Sequence, residues 1–464
     1  MSLKFYNTMS RGLEEFKPIE TGNVRMYTCG PTVYNYAHIG NYRAYIFEDL
    51  LRRYLKYCGY KVTQVMNLTD VDDKTINGAN EKGVSLDEYT KEYKQAFFDD
   101  LATLNIEPAE HYPPATGHIE EMIVLIEKLM KKGAAYQSSD GSVYYNISTC
   151  KDYGRLARLD MDGLRTGARV AQDEYEKDSA ADFALWKAWS ETDGPVGWDS
   201  PWGRGRPGWH IECSAMSMKY LGESFDIHTG GIDNIFPHHV DEIAQSEAVT
   251  GKMYAHTWLH CAHLVVDGRK MSKSLGNFHT LREVLEKGYS GREIRYELIA
   301  THYRQTLNFS FSGLDAVKVA LGRVDAFTRR LAQMEKGEVG DMPHWAREAE
   351  EKFALALDDD LNISGGLAAL FDLIHVGNRE LDSGLVGSDA VAAVLALLER
   401  MDAVFGFVQA PKEEISDDLR ELMMRRQEAR AEKNWGEADR LRDELHAHGY
   451  RVEDTPEGPL LKRI

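Results

Sequence analysis

The chain has 464 residues, enough for roughly two to four domains of ordinary size, which excludes a single small binding module. Its 55 Lys and Arg stand against 74 Asp and Glu, a net charge of −19, so a uniformly basic surface that coats nucleic acid or anionic lipid is excluded too. Five scattered cysteines, Cys29, Cys58, Cys150, Cys213 and Cys261, do not make a secreted disulfide framework and fit a reducing cytoplasm.

Lys4, Arg11, Glu14 and Glu15 stand where a signal peptide would be apolar, and the longest uncharged apolar run, Ala390 to Leu398, is too short for a membrane helix, so no leader and no membrane partner are expected. Val24 to Cys29 alternates apolar and polar residues as a strand does, and Gly30-Pro31 ends it. From Asn41 the residues Ile46, Leu50, Leu51, Tyr54, Leu55 and Cys58 fall at helical spacing, with Gly59 placed for a left-handed cap. Lys61 to Leu68 reads as a second strand, which completes a βαβ unit and implies a parallel sheet whose strand ends face a crevice. Ser85 and Glu88 predict a helix start, and Ile119, Met122, Ile123, Ile126 and Met130 an apolar stripe closed by Gly133. Residues 135–205, rich in Gly, Asp and aromatics, read as an irregular insertion. Sheet and helix patterns resume at Trp209, and beyond about residue 311 nearly everything has helical period, with loops at 337–343 and 382–388. In residues 420–464 ten Lys and Arg balance ten Asp and Glu, so the whole excess of negative charge lies before them.

Three constellations carry chemistry. Ala37-His38-Ile39-Gly40-Asn41, between the first strand and helix, offers free N–H groups and a close backbone approach to a phosphate; the plain alternative is a capped turn with a core histidine. Gly268-Arg269-Lys270-Met271-Ser272-Lys273-Ser274-Leu275-Gly276 suits a mobile cationic loop that closes on a triphosphate; the alternative is a solvated basic turn. Cys29 and Cys213 join Pro237-His238-His239-Val240-Asp241-Glu242, where Pro237 fits the first turn of a helix and His238 and Glu242, four apart, share a face suited to a metal. His239 is the alternative imidazole, and the two cysteines read equally well as small buried apolar residues.

Taken together and in this order, these segments resemble the class I aminoacyl-tRNA synthetases, with His38 to Asn41 as the HIGH signature and Lys270 to Ser274 as KMSKS. The specific resemblance is to the cysteinyl-tRNA synthetase family, whose marks recur in Tyr27-Thr28-Cys29-Gly30-Pro31-Thr32-Val33-Tyr34, Asn67-Leu68-Thr69-Asp70-Val71-Asp72-Asp73-Lys74, Pro207-Gly208-Trp209-His210-Ile211-Glu212-Cys213-Ser214 and Gly230-Gly231-Ile232-Asp233-Asn234-Ile235-Phe236-Pro237-His238-His239. Asn41 departs from the pattern by replacing the second histidine of HIGH.

The resemblance implies an α/β fold: a Rossmann-like parallel-sheet catalytic domain over 1–120 and 206–265, a connective insertion over 121–205, a KMSKS and stem-contact region over 266–310, a helical anticodon-binding bundle over 311–411 and a small C-terminal subdomain over 412–464. It implies ATP-dependent activation of L-cysteine to cysteinyl-adenylate and transfer to the 3′ end of tRNA(Cys), in the cytoplasm, by a monomer. His38, Asn41, Lys270 and Lys273 would be catalytic, with His38, Gly40, Asn41 and Lys273 on ATP and its Mg²⁺. One Zn²⁺ would be held by Cys29, Cys213, His238 and Glu242 to select the substrate thiolate, while Gly30, Thr69, Trp209 and Asp233 line the pocket. Arg425, Arg426, Arg430 and Lys433 along one side of a helix, with Trp435 for stacking, would read the anticodon loop; the alternative is a solvent helix salt-bridged by Glu428, Glu432 and Glu437. A ligase joining activated cysteine to an amino-sugar would need no such tail, and a binding protein that has lost catalysis would not need intact KMSKS and ligand sets.

Overall fold

The computed structural model describes residues 2–159, 182–272, 275–334, 337–384, 386–410, 417–455 and 458–463. The chain divides into two compact units, Met1–Gln409 and Ala410–Ile464.

At the centre of the first unit lies a parallel sheet of β1 (Asn23–Thr28), β2 (Lys61–Met66), β3 (Phe225–Gly231) and β4 (Ala255–Cys261), in spatial order β4-β3-β1-β2. The chain runs outward from β1 to β2 and then crosses to the other side of β1 for β3. Strand order therefore reverses between β1 and β3, the place where an open α/β sheet leaves a crevice at its carboxyl ends. Helix α1 (Ile39–Tyr57) connects β1 to β2 as the apolar spacing predicts, and Gly59 beyond its end has φ +88°. Two further helices flank the later strands: α2 (Trp209–Leu221) leads into β3, and α3 (Val240–Thr250) leads into β4.

The insertion is not irregular. Ala135–Gln137, Val143–Tyr145, Phe183–Ala188 and Gly205–Pro207 pair as an antiparallel four-stranded meander. Three of the four strands have three residues and Phe183–Ala188 is buried on both faces over its first four, so none shows a run of alternation. The middle of the insertion, 160–181, lies outside the described residues. A three-stranded sheet of Leu264–Val266, Arg269–Lys270 and Leu307–Phe309 carries the second signature.

Four helices, Phe311–Gln333, His344–Asp358, Ile363–Asp382 and Ser388–Phe405, form the expected bundle. It is joined to the catalytic part through buried charge. Arg295, fully buried, donates to Asp49 on α1 at 2.5 Å and to the carbonyls of Phe405 at 2.7 Å and Leu104 at 3.1 Å. On α1 itself, Arg53 donates to the Ala403 carbonyl and the Tyr54 hydroxyl to Asp358. Removing Arg295 leaves Asp49 with Arg53 at 2.7 Å, but takes away the donor of the buried Phe405 and Leu104 carbonyls, and each buried acceptor left unpaired costs about 1–3 kcal/mol. Arg295→Met is thus expected to lower the urea midpoint of unfolding markedly; a midpoint equal to wild type would contradict the role given to this contact.

The second unit has helices Asp417–Ala431 and Trp435–Ala447 and a hairpin of Tyr450–Thr455 with Gly458–Arg463. The expected basic side is not one surface. Arg426 is buried, and Lys433 lies past the helix end in a left-handed turn with φ +59°. Glu437 pairs with Arg425 and Arg440, and Arg442 with Asp439, so the salt-bridged alternative describes part of this unit; Trp435 is exposed. Among the described residues no helix is long and apolar enough to cross a membrane.

Candidate active site

The carboxyl ends of the strands bring the separated motifs together. Cys29 and Gly30 follow β1, Asn67 to Thr69 follow β2, and Asp233 lies on the turn after β3. Cys29, Cys213 of α2, His238 and Glu242 each place a donor atom within 4.8 Å of the others, although none of the first three is a neighbour in sequence. Cys213, His238 and Glu242 are buried, whereas Cys29 is partly exposed.

The helix carrying His238 and Glu242 does not begin at Pro237 as predicted. The regular helix α3 begins at Val240, preceded by a wider turn over Ile235–His239 in which Phe236 has extended dihedrals. The i,i+4 relation survives, because His238 and His239 already adopt helical geometry in that turn: His238 Nε2 lies 3.1 Å from Glu242 Oε1. That same oxygen is buried and accepts no hydrogen bond, whereas Oε2 accepts from the Tyr254 hydroxyl and lies 2.9 Å from His228 Nε2. A buried carboxylate oxygen left without a donor, beside an imidazole nitrogen and two thiols, fits a tetrahedral soft-metal site.

Protonation agrees with that fit. Burial pushes His238 down to about 3 despite the pull of Glu242, so its ring is neutral and able to ligate. Burial alone would raise Glu242, but His228, 2.9 Å from its Oε2, and the Tyr254 hydroxyl that donates to that oxygen outweigh it and hold the carboxyl low. The hydrogen bond with Cys213, followed by burial, pushes the Cys29 thiol up, and burial pushes Cys213 up. Two thiols disfavoured as anions without a cation are thiols that a cation would deprotonate.

A second overlapping set keeps Cys29 and Glu242 but uses His228 and His239. His239 Nε2 lies 3.2 Å from Cys29 Sγ, and its Nδ1 meets His260 Nε2 at 2.8 Å. The sequence left the choice of imidazole open. His228 escaped notice because a lone histidine in a strand buried on both faces carries no periodic signal.

His38 caps α1. Its Nδ1 accepts from the Asn41 amide at 3.2 Å, while Asn41 Oδ1 accepts from the His38 amide at 3.1 Å, a reciprocal capping box. Burial lowers the His38 pKa and Asp233 pulls it back up; with Nδ1 accepting from the Asn41 amide, the neutral ring carries its proton on Nε2. A Cβ on Gly40 would meet the His38 ring at 3.0 Å and Met271 at 3.2 Å, which places the first signature against the second. Lys270 is exposed at the start of that second loop, where Asn277 donates to its carbonyl. Lys273 and Ser274 lie outside the described residues.

Trp209 is not a core aromatic: it is 38% exposed and stacks on His238 with centroids 4.2 Å apart. Thr69 is the reverse, buried with its hydroxyl donating to Glu212. Gly30 is required by close approach, since a Cβ there would lie 1.8 Å from the Asn67 carbonyl oxygen.

The family model described as tRNA synthetases class I (C) catalytic domain matches residues 15–319, the DALR domain matches 352–409 and the cysteinyl-tRNA ligase anticodon binding domain matches 412–458. A cysteine–tRNA ligase of Protochlamydia amoebophila is 53% identical, with 99% of this chain and 98% of that protein covered. This chain belongs to the cysteinyl-tRNA synthetase family. A second cysteine–tRNA ligase, from Brachyspira hyodysenteriae, is 51% identical over 99% of both chains. In fold the class I relationship extends to methionyl-tRNA synthetase of Mycobacterium tuberculosis, at 13% identity and a TM-score of 0.62, covering 84% of this chain and 95% of that one. Within the family signature, Asn41 occupies the second histidine position of HIGH, and the structure shows its oxygen engaged in starting the helix.

Proposed function

We propose that this class I synthetase charges tRNA(Cys) in two steps at the β1–β3 crevice. A carboxylate oxygen of L-cysteine attacks the α-phosphorus of Mg²⁺-bound ATP, the bond to the β-phosphate oxygen breaks, and cysteinyl-adenylate and pyrophosphate form. The terminal ribose hydroxyl of the tRNA then attacks the acyl carbon, loses its proton, and AMP leaves. The four-donor cluster beside the capped end of α1 supports this reading above all.

Cys29, Cys213, His238 and Glu242 would hold zinc. Bound there, zinc supplies a soft Lewis acid for the substrate thiolate, a preference over serine that an apolar slot, worth roughly 10–200-fold, does not reach. The chain's own groups position and neutralise, as in other nucleotidyl transfers. His38 donates to phosphate from the end of α1, where Gly40 admits the nucleotide to the backbone and the side-chain Nδ2 of Asn41 adds a donor. Lys270 and Lys273 approach from the second loop. Gly30, Trp209 and Asp233 border the cysteine, and Thr69 stands behind them. The helices after 311 and the unit from 410 engage the tRNA, and the enzyme works as a cytoplasmic monomer.

The decisive experiment charges purified tRNA with labelled cysteine and, in parallel, serine. Cysteine-dependent acylation with serine at background is expected; pyrophosphate exchange without tRNA acylation would instead favour a ligase with another acceptor.

A further inference from the structure

The two thiols reach the cluster from different elements, Cys29 from the end of β1 and Cys213 from α2, and only the surroundings can set the distance between them. We infer that Asn67, Thr69 and Glu212 form a buried hydrogen-bonded tether that fixes this spacing, and so act as positioning residues for the metal; this rests on the reading of Cys29 and Cys213 as ligands.

The Gly30 amide fixes the direction of the first two links. The Gly30 amide can only donate, and it donates to Asn67 Oδ1 at 2.9 Å. That orients the Asn67 side chain, whose Nδ2 donates to Thr69 Oγ1 at 3.2 Å. The single hydroxyl proton of Thr69 goes on to Glu212 Oε2 at 2.9 Å. All three side chains are buried, at 2%, 1% and 1% exposure, so water does not substitute for a broken link. Thr69 is also fixed through its backbone, donating to the Pro31 carbonyl and accepting from the Val33 amide, both at 3.0 Å.

The ends of the tether give it meaning. Gly30 directly follows Cys29, and Glu212 directly precedes Cys213. The chain of bonds therefore joins the backbone beside one thiol to the backbone beside the other, by way of the end of β2. A donor set held at its spacing in advance avoids the ordering cost of assembling on the metal, and outer-shell partners of this kind typically change metal affinity about 10–100-fold. It also accounts for Thr69 without a direct contact to substrate, since its hydroxyl is spent within the tether.

Thr69→Val keeps shape and removes both hydrogen bonds, whereas Thr69→Ser keeps them. Zinc affinity by chelator competition on the full-length chain is expected to fall about 10–100-fold in Thr69→Val, with a weakened thiolate-to-metal absorption when Co²⁺ replaces zinc, and to stay at the wild-type value in Thr69→Ser. Wild-type zinc affinity and Co²⁺ spectrum in a folded Thr69→Val would overturn the inference, as would an equal loss in Thr69→Ser. Where thermal unfolding shows Thr69→Val not to fold, Glu212→Met removes the terminal acceptor at similar length and carries the same two outcomes. Cys29→Ser separates the underlying reading: zinc retained there removes the ligand assignment itself, while zinc lost there with Thr69→Val unaffected removes only the tether.

Discussion

Cys29→Ser is expected to strip the bound zinc and lower cysteine-dependent pyrophosphate exchange by more than the roughly 10–100-fold typical of losing an outer-shell metal partner. Cys29 is the least buried residue of the four, directly after β1. Serine leaves the volume almost unchanged and replaces a thiol that a cation readily deprotonates by a hydroxyl that it does not. Metal analysis of the purified variant and exchange kinetics check this together. One zinc per chain and wild-type exchange in the variant would dismiss Cys29 as a ligand.

Gly30→Ala should be nearly as damaging for a different reason. The added Cβ would fall 1.8 Å from the Asn67 carbonyl oxygen and 3.0 Å from Met66 Cγ, and the first of these is backbone directly after β2. Something must shift, and Gly30 itself carries the amide that holds Asn67, with Cys29 directly before it. A misplacement of about 1 Å at a reacting centre costs on the order of 10²-fold in rate. Exchange activity should fall by about that factor while α-helical circular dichroism is kept. Activity within a small factor of wild type would show that the β1 and β2 ends can part without affecting the chemistry.

What was legible in the sequence had local causes. The strand, helix and strand of the first βαβ unit follow from spacing and from Gly30-Pro31 and Gly59, and they stand where expected. His238 and Glu242 were readable as a pair because four residues of helix put them on one face, even though the regular helix begins only at Val240. Cys29 and Cys213 were different: 184 positions of sequence separate them, and only the resemblance joined them to the pair. The bond between Thr69 and Glu212 spans 143 residues and left no mark in either motif, although both residues stood in segments singled out for the resemblance. Arg426 was misplaced because a helix of nearly even polarity gives no face by which to tell its buried side from its exposed one.

Helix α1 has one further consequence. Its first end presents His38 to the crevice, and three turns or more along it Arg53 and Tyr54 are gripped by Ala403 and Asp358 of the helical bundle. Nineteen residues at 1.5 Å each make it about 28 Å long. One unbroken run of backbone hydrogen bonds links the capping box of His38 and Asn41 to the turn that the bundle holds. The helix whose first turn is proposed to meet the nucleotide is thus anchored in the bundle by its last turns, so the crevice and the bundle share one element.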